Sequence, residues 1–225
     1  MAKTKKVSDE AIGLDVQLSK SEAFIEKNLK VILIALAAVI VVVAGIFIYK
    51  NYMKGQTEEA NQAIAKSQTA FAQGQFEQAL NGDGVQEKGL LKIIDEYSGT
   101  KTANLAKLYA GLCYVNLDKT DEAIKMLEAY SAQDDETVSP AAVEALGNCY
   151  VKKGDNQKGA ETLEKAAKMA DNDAVSPIFL MQAAQIYEEL GNSDKAVELY
   201  EQIKTKYFRS QLAADIDKYI EAAKK

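Results

Sequence analysis

The chain contains no histidine, which removes the usual general base near neutral pH and the commonest nitrogen ligand for metals. What remains for acid–base chemistry is carboxylate clusters, Asp134-Asp135-Glu136 and Glu188-Glu189, and for sulfur chemistry two cysteines, Cys113 and Cys149. A carboxylate does catalytic work when an apolar pocket or a like charge displaces its pKa, and the flanking sequence supplies no such pocket to either cluster. They read as a solvated loop and a helix face. The segment Asn81-Gly82-Asp83-Gly84 lacks the carboxylate series and closing Glu of a calcium loop and reads as a turn, and no Gly-rich phosphate cradle occurs. No catalytic, cofactor or metal residues are assigned, and the chain is not expected to be an enzyme.

The elements that position these residues recur. Ala110-Gly111-Leu112-Cys113-Tyr114 aligns with Leu146-Gly147-Asn148-Cys149-Tyr150 and with Ala183-Ala184-Gln185-Ile186-Tyr187. Twelve residues after Gly111, Gly147 and Ala184 come Ala123, Gly159 and Ala196, and four further on come Leu127, Leu163 and Tyr200. Each unit is therefore expected to be a helix pair whose small residues let two axes approach closely. Pro140 and Pro177 each follow a serine and open the first helix of a unit; Ser139 and Ser176 are expected to accept a bond from an early unpaired N–H. Gly154 and Gly191 end those helices, where a left-handed residue is commonly needed. Gln211 to Lys225, with Leu212, Ile216, Tyr219 and Ile220 at helical spacing, reads as the cap that a solenoid end requires.

Cys113 and Cys149 occupy equivalent positions of consecutive units. Equivalent Cα atoms in stacked repeats lie about 10 Å apart, beyond the roughly 7 Å a disulfide tolerates. Two buried, free thiols are expected.

Residues Val31 to Tyr49 form an uncharged apolar run of 19 residues. At roughly 1.5 Å per residue this is about 28 Å of helix, close to the thickness of a bilayer core. Lys30, Lys50 and Lys54 bracket the run, and Tyr49 and Tyr52 sit at one edge, where amphipathic rings favour the headgroup layer. Thirty residues precede it and no small-residue cleavage site follows, so an uncleaved signal anchor is expected. Lys3, Lys5 and Lys6, added to Lys20, Lys27 and Lys30, favour a cytoplasmic tail of residues 1–30, with residues 50–225 on the other side.

Of 27 basic and 33 acidic residues, six and five precede the run, so the part after it carries 21 and 28. An acidic domain is a poor partner for phosphate backbones, and nucleic-acid binding is not expected. Scarce Gly and Pro, abundant Ala and few β-branched runs outside the span indicate an all-α domain.

The repeated units resemble the tetratricopeptide repeat, with a small residue three before Tyr, Gly near the turn, then Ala and a large residue in the second helix. The likeness is clear over residues 102–208. A weaker earlier unit is marked by Gly74-Gln75-Phe76-Glu77-Gln78-Ala79, with Ala70 at the Tyr position and a second helix interrupted by Asn81-Gly82-Asp83-Gly84 before Leu90 to Tyr97 resumes it. In the following unit Asp118 stands at the turn Gly. Three to four repeats are expected. The whole layout also resembles the YfgM-like ancillary subunits of the Sec translocon, with Phe24, Asn28 and Lys30 matching a local F-x-x-x-N-x-K pattern. That resemblance implies a bacterial inner-membrane protein with a periplasmic repeat domain, touching translocating chains, translocon subunits or periplasmic chaperones without any cofactor.

The tetratricopeptide resemblance implies that the first helix of each unit lines a concave binding side. Its candidate contacts are Leu105, Leu108, Leu112, Val115 and Asn116; then Ala141, Glu144, Asn148, Val151 and Lys152; then Ile178, Met181, Gln185, Glu188 and Glu189. Leu105, Leu108 and Leu112 fit a groove for an apolar or helical peptide and equally fit burial under the preceding helix. A membrane-anchored scaffold for proteins in secretion or envelope folding is the reading that results, with a structural subunit of another envelope assembly as the alternative and an enzyme or enzyme regulator as a further one.

Overall fold

The structure is a computed structural model that describes the backbone of residues 2–84 and 87–224, with side chains from Phe24 onward except Glu26. The side chains of Lys3, Lys5, Lys6 and Lys20, used in the charge count above, and Lys225 at the end of the expected cap lie outside the described residues. The chain divides into two compact units, residues 1–55 and 56–225.

The first unit is helical throughout its described length and belongs to α1 (Ala2–Ala72). Its apolar run shows no polar stripe and none of it is buried; an 18-residue window reaches a mean hydropathy of 3.4. A helix that long and that uniformly apolar meets the length and composition of a bilayer span, and its exposure sets it apart from the core helix of a soluble domain.

The second unit is all helical: after the end of α1 come α2 (Phe76–Asn81), α3 (Leu90–Glu96), α4 (Lys101–Asn116), α5 (Thr120–Ala129), α6 (Val138–Lys152), α7 (Asn156–Ala170), α8 (Ser176–Glu189), α9 (Ser193–Lys206), a 3-10 turn (Gln211–Asp215) and α10 (Ile216–Ala223). The last turns of α1 present Ala60, Ile64, Ser67 and Ala70 on one buried face, the spacing of a helix stripe. They pack with Leu90, Ile93, Tyr97 and Ala106. As expected from Asn81 to Gly84, the second helix of this unit is broken into α2 and α3, joined by a loop in which Gly82 bridges Lys88 and the Glu87 N–H donates to Asp83 Oδ1 (2.7 Å). α4–α5, α6–α7 and α8–α9 then follow as helix pairs, and the 3-10 turn with α10 covers α9.

One backbone motif counts the repeats. After each first helix a residue takes a left-handed conformation: Gly74 (φ +74°), Asp118 (φ +62°), Gly154 (φ +90°) and Gly191 (φ +73°). In each case the next N–H reaches back to a carbonyl five residues earlier: Gln75 to Ala70, Lys119 to Tyr114, Asp155 to Tyr150 and Asn192 to Tyr187, at 2.8–2.9 Å. These are Schellman closures, which satisfy carbonyls that a helix end leaves unpaired. The weak first unit shares the register, so the described residues contain four repeats. Asp118 holds the glycine position because aspartate tolerates the left-handed region better than most residues.

The helix starts differ from the sequence expectation. Ser139 and Ser176 lie inside α6 and α8, fully buried, and do not cap them. For α6 the cap is Asp135, whose Oδ1 accepts from the N–H groups of Thr137 (3.0 Å), Val138 (2.5 Å) and Ser139 (3.0 Å). Before α8, Asn172 Oδ1 accepts from Ala174 and Val175. The serine hydroxyls instead tie the loop down, Ser139 Oγ accepting from the Gln133 N–H and Ser176 Oγ from the Asn172 N–H. Asp135 is therefore a capping residue and not one more solvated loop acid.

Small residues set the inter-helix distance as the spacing implied. A Cβ at Gly111 would sit 2.6 Å from Leu127 Cγ, one at Gly147 would sit 3.0 Å from Leu163 Cγ, and one at Gly159 would sit 2.4 Å from Val151 Cγ2. Cys113 and Cys149 are buried and unbridged. They belong to different clusters, Cys113 with Ala106 and Ala110, and Cys149 with Leu108, Ile124 and Leu127.

Candidate protein-binding face

The expected face falls into core and surface parts. Leu108 on α4 and Met181 on α8 are only 7% and 8% exposed. Leu108 joins Ala123, Ile124, Leu127, Ala142 and Tyr150 in a cluster spanning α4, α5 and α6, and half-buried Leu105, Leu112 and Val115 pack against it. Assigning Leu108 to an open groove is therefore corrected: burying a leucine side chain stabilises the folded state by about 1.5–3 kcal/mol, and the neighbouring pair fills this stripe. Val151 is corrected likewise, since it is half-buried against the α6–α10 cluster with its Cγ2 over Gly159.

What remains at the surface is mostly polar. Asn116, Ala141, Asn148, Lys152, Gln185 and Glu189 are exposed, Glu144 and Glu188 are half-buried, and Ile178 is 44% exposed. Several are engaged: the Asn116 amide donates to the Leu112 carbonyl, the Asn148 amide to Glu144, and Lys152 pairs with Asp118 of the preceding unit. Burial raises the Glu144 pKa, against the pull of the Asn148 amide. Glu188 accepts from the Tyr200 hydroxyl (2.7 Å), one of a series of tyrosine–carboxylate bonds that includes Tyr150 to Glu128 (2.5 Å), Tyr187 to Glu164 (2.8 Å) and Tyr207 to Asp171 (3.0 Å). Burial, reinforced by the carboxylate partner, raises the pKa of Tyr187 and Tyr200, so these hydroxyls stay donors and lock helix to helix.

Of the acids that might have done chemistry, Asp135 caps α6 and Glu188 holds the Tyr200 hydroxyl. Among the described residues, no group of three Cys, Asp or Glu side chains is placed to hold a metal ion. The Cys113 thiol is pushed up to about 12 by burial and Cys149 is raised for the same reason, so neither is a ready nucleophile.

One concavity joins the face to the cap. A cavity of about 560 Å³ opens between the start of α8 and the C-terminal elements, walled by Ile178 and Met181 on one side and by Leu212 and Tyr219 on the other. Gln182 also lines it, and its Oε1 is buried without a hydrogen-bond partner. Reading helix faces alone assigned Ile178 and Met181 but missed Gln182, Leu212 and Tyr219 as surface contributors. Leu212 and Tyr219 carry an apolar signal in the sequence, but it marks only the cap and not the space they share with α8.

The profile of the tetratricopeptide repeat-like domain matches residues 22–148, and that of the tetratricopeptide repeat matches residues 144–207. No curated protein matches the chain. Among solved structures, a crystal structure of the nearly identical TPR-like repeats of a Podosopora anserina putative kinesin light chain is 18% identical, covering 77% of this chain and 90% of that one with a TM-score of 0.45. A point-substituted form of the same repeats is 17% identical over 76% of this chain and 84% of that one, with a TM-score of 0.49. The first profile spans more than half of the sequence and the two together run from before the apolar segment to the end of α9, so the chain belongs to the tetratricopeptide repeat-like domain family.

Proposed function

We propose that this chain is a single-span membrane protein whose repeat domain is a protein–protein interaction scaffold, with residues 1–30 in the cytoplasm of a bacterium and residues 50–225 in the periplasm. The observation that carries this reading is the joining, in one chain, of an unburied apolar helix to a set of tetratricopeptide repeats, a class that suggests protein binding and is typically non-catalytic. Anchoring serves such a scaffold because confinement to the membrane raises the effective concentration of membrane partners. The partners proposed are translocon subunits or periplasmic chaperones, in secretion or envelope protein folding, held noncovalently and without a cofactor. The excess of acidic residues after the span disfavours nucleic acid.

A second reading, a structural subunit of a stable inner-membrane assembly, draws support from one observation. The leucine stripe of α4 is filled by the chain's own helices, which leaves less apolar surface for a transient client.

Affinity purification of the tagged full chain at native expression from gently solubilised membranes tests both, against a tagged control ending at Lys54. Recovery of translocon subunits or folding factors only with the full chain supports the scaffold. Recovery of one unrelated stoichiometric complex selects the assembly subunit, and absence of any specific partner removes both.

A further inference from the structure

We propose that the cavity between α8 and the C-terminal cap is a docking pocket for a bulky apolar side chain bearing an N–H donor and flanked by a basic residue, that is, a tryptophan beside lysine on a protein partner. The inference rests on reading the repeat domain as a protein-binding scaffold, and it names the chemistry recognised at one end of that domain.

Three observations converge. First, the walls are apolar and partly open: Ile178 is one of the few large apolar residues outside the α1 run that is this exposed, and Met181 and Leu212 face the same space. The Tyr219 ring that closes the pocket rests on Tyr200, with ring centroids 5.7 Å apart, which gives an entering aromatic a fixed surface. Methionine adds a polarizable, adaptable contact.

Second, Gln182 Oε1 is buried with no partner, the one such side-chain atom among the described residues. Buried acceptors in folded proteins are nearly always paired. Gln182 lines the pocket and its terminal amide turns about a soft torsion, so rotation of that amide is the step that brings Oε1 to an entering donor. A leucine or phenylalanine would fill the walls and leave this acceptor unpaired; an indole does both tasks, because its body is apolar and its ring nitrogen only donates.

Third, the mouth carries one uncompensated charge. Asp215 is neutralised by Lys218 at 3.3 Å, whereas Asp173 is exposed and has no ion-pair or hydrogen-bond partner among the described residues. A basic residue next to the anchoring side chain complements it, and at a rim such complementarity acts chiefly on encounter and orientation.

The chain contains no tryptophan, so the emission of a tryptophan peptide can be followed directly in its presence. Ac-Lys-Trp-Lys-NH2 is titrated with the full chain in zwitterionic micelles. The expected result is a saturable blue shift, weakened about tenfold or more by Asp173→Lys and by Ile178→Asp, with Ac-Glu-Trp-Glu-NH2 binding more weakly than the lysine peptide. Both substituted positions are exposed, and unchanged far-UV circular dichroism verifies that the variants stay folded. A shift identical in wild type and both variants reports partition into micelles or binding elsewhere and overturns the proposal, as does the absence of a saturable shift. If the peptide fails while partners copurify with the full chain, the pocket is withdrawn and the scaffold stands. If the peptide binds as expected while nothing copurifies, the pocket stands and the membrane scaffold does not.

Discussion

Adding one methyl group at Gly159 is expected to destabilise the repeat domain even though alanine is the better helix former. In the interior of α7, Gly→Ala gains about 1 kcal/mol of intrinsic helix propensity. Against this, the new Cβ would lie 2.4 Å from Val151 Cγ2 and 3.1 Å from the Gly147 carbonyl oxygen. The first distance is impossible without movement, and Val151 is β-branched with a stiff χ1, so α6 and α7 must part. Overpacking of this kind costs about 1–3 kcal/mol, which leaves a net loss of up to about 2 kcal/mol after the propensity gain. The reasoning specifies the relief: Val151→Ala removes the clashing methyl groups at a cost of about 1 kcal/mol for a half-buried side chain. The double variant Gly159→Ala/Val151→Ala is therefore expected to be more stable than the sum of the single effects predicts, by about 1 kcal/mol or more. Guanidinium unfolding of the full chain in detergent, followed by far-UV circular dichroism, reads the four midpoints at constant slope. A stabilised Gly159→Ala protein, or single effects that add to within about 0.5 kcal/mol, would refute the close-approach argument.

Three further outcomes follow from the same packing and capping. Leu108→Ala should lose about 2–5 kcal/mol of stability, as a core truncation does; an unchanged unfolding midpoint with weakened partner binding would return Leu108 to the surface. Asp135→Ala should cost about 1–2 kcal/mol at neutral pH as a lost helix cap. The Ser139 hydroxyl, with the N–H groups of Ser139, Thr137 and Val138, holds the Asp135 carboxyl below the usual carboxylate range. Its folded pKa lies below the unfolded one, so its contribution is full above the unfolded value of about 3.9 and disappears as pH falls through the folded value; the gap between wild type and variant should close in that acid window, and a gap unchanged in acid would contradict the assignment. Cys113 and Cys149 should react with a thiol reagent only at the rate of unfolding, because both are buried and their thiols are pushed up; rapid labelling of the native chain, or a nonreducing mobility change abolished by Cys113→Ser, would show otherwise.

The sequence by itself determined the architecture, because each of its signals is local or strictly periodic. Nineteen uncharged apolar residues need no tertiary contact to be read as a helix of bilayer length. The small residues Gly111, Gly147 and Ala184, the later partners Leu127, Leu163 and Tyr200, and the left-handed turns at Gly154 and Gly191 carry one register, since every repeat solves the same packing problem. Even the degenerate first unit kept enough of that register, at Ala70 and Gly74, for its turn to close like the others.

What only the tertiary structure decided is which side of each first helix stays open. Leu105, Leu108 and Leu112 read identically as a groove or as a core stripe, because helical periodicity reports that a face is apolar and not what lies against it. Packing of α5 and α6 settled that choice by burying Leu108. Capping was misassigned for a related reason: Ser139 and Asp135 are both good capping types a few residues apart, and the path of the loop determines which oxygen meets the free N–H groups. The end cavity was hidden because Ile178, Gln182 and Tyr219 come from segments about forty residues apart, and no one-dimensional pattern records that the turn after α9 swings Leu212 and Tyr219 back beside the start of α8.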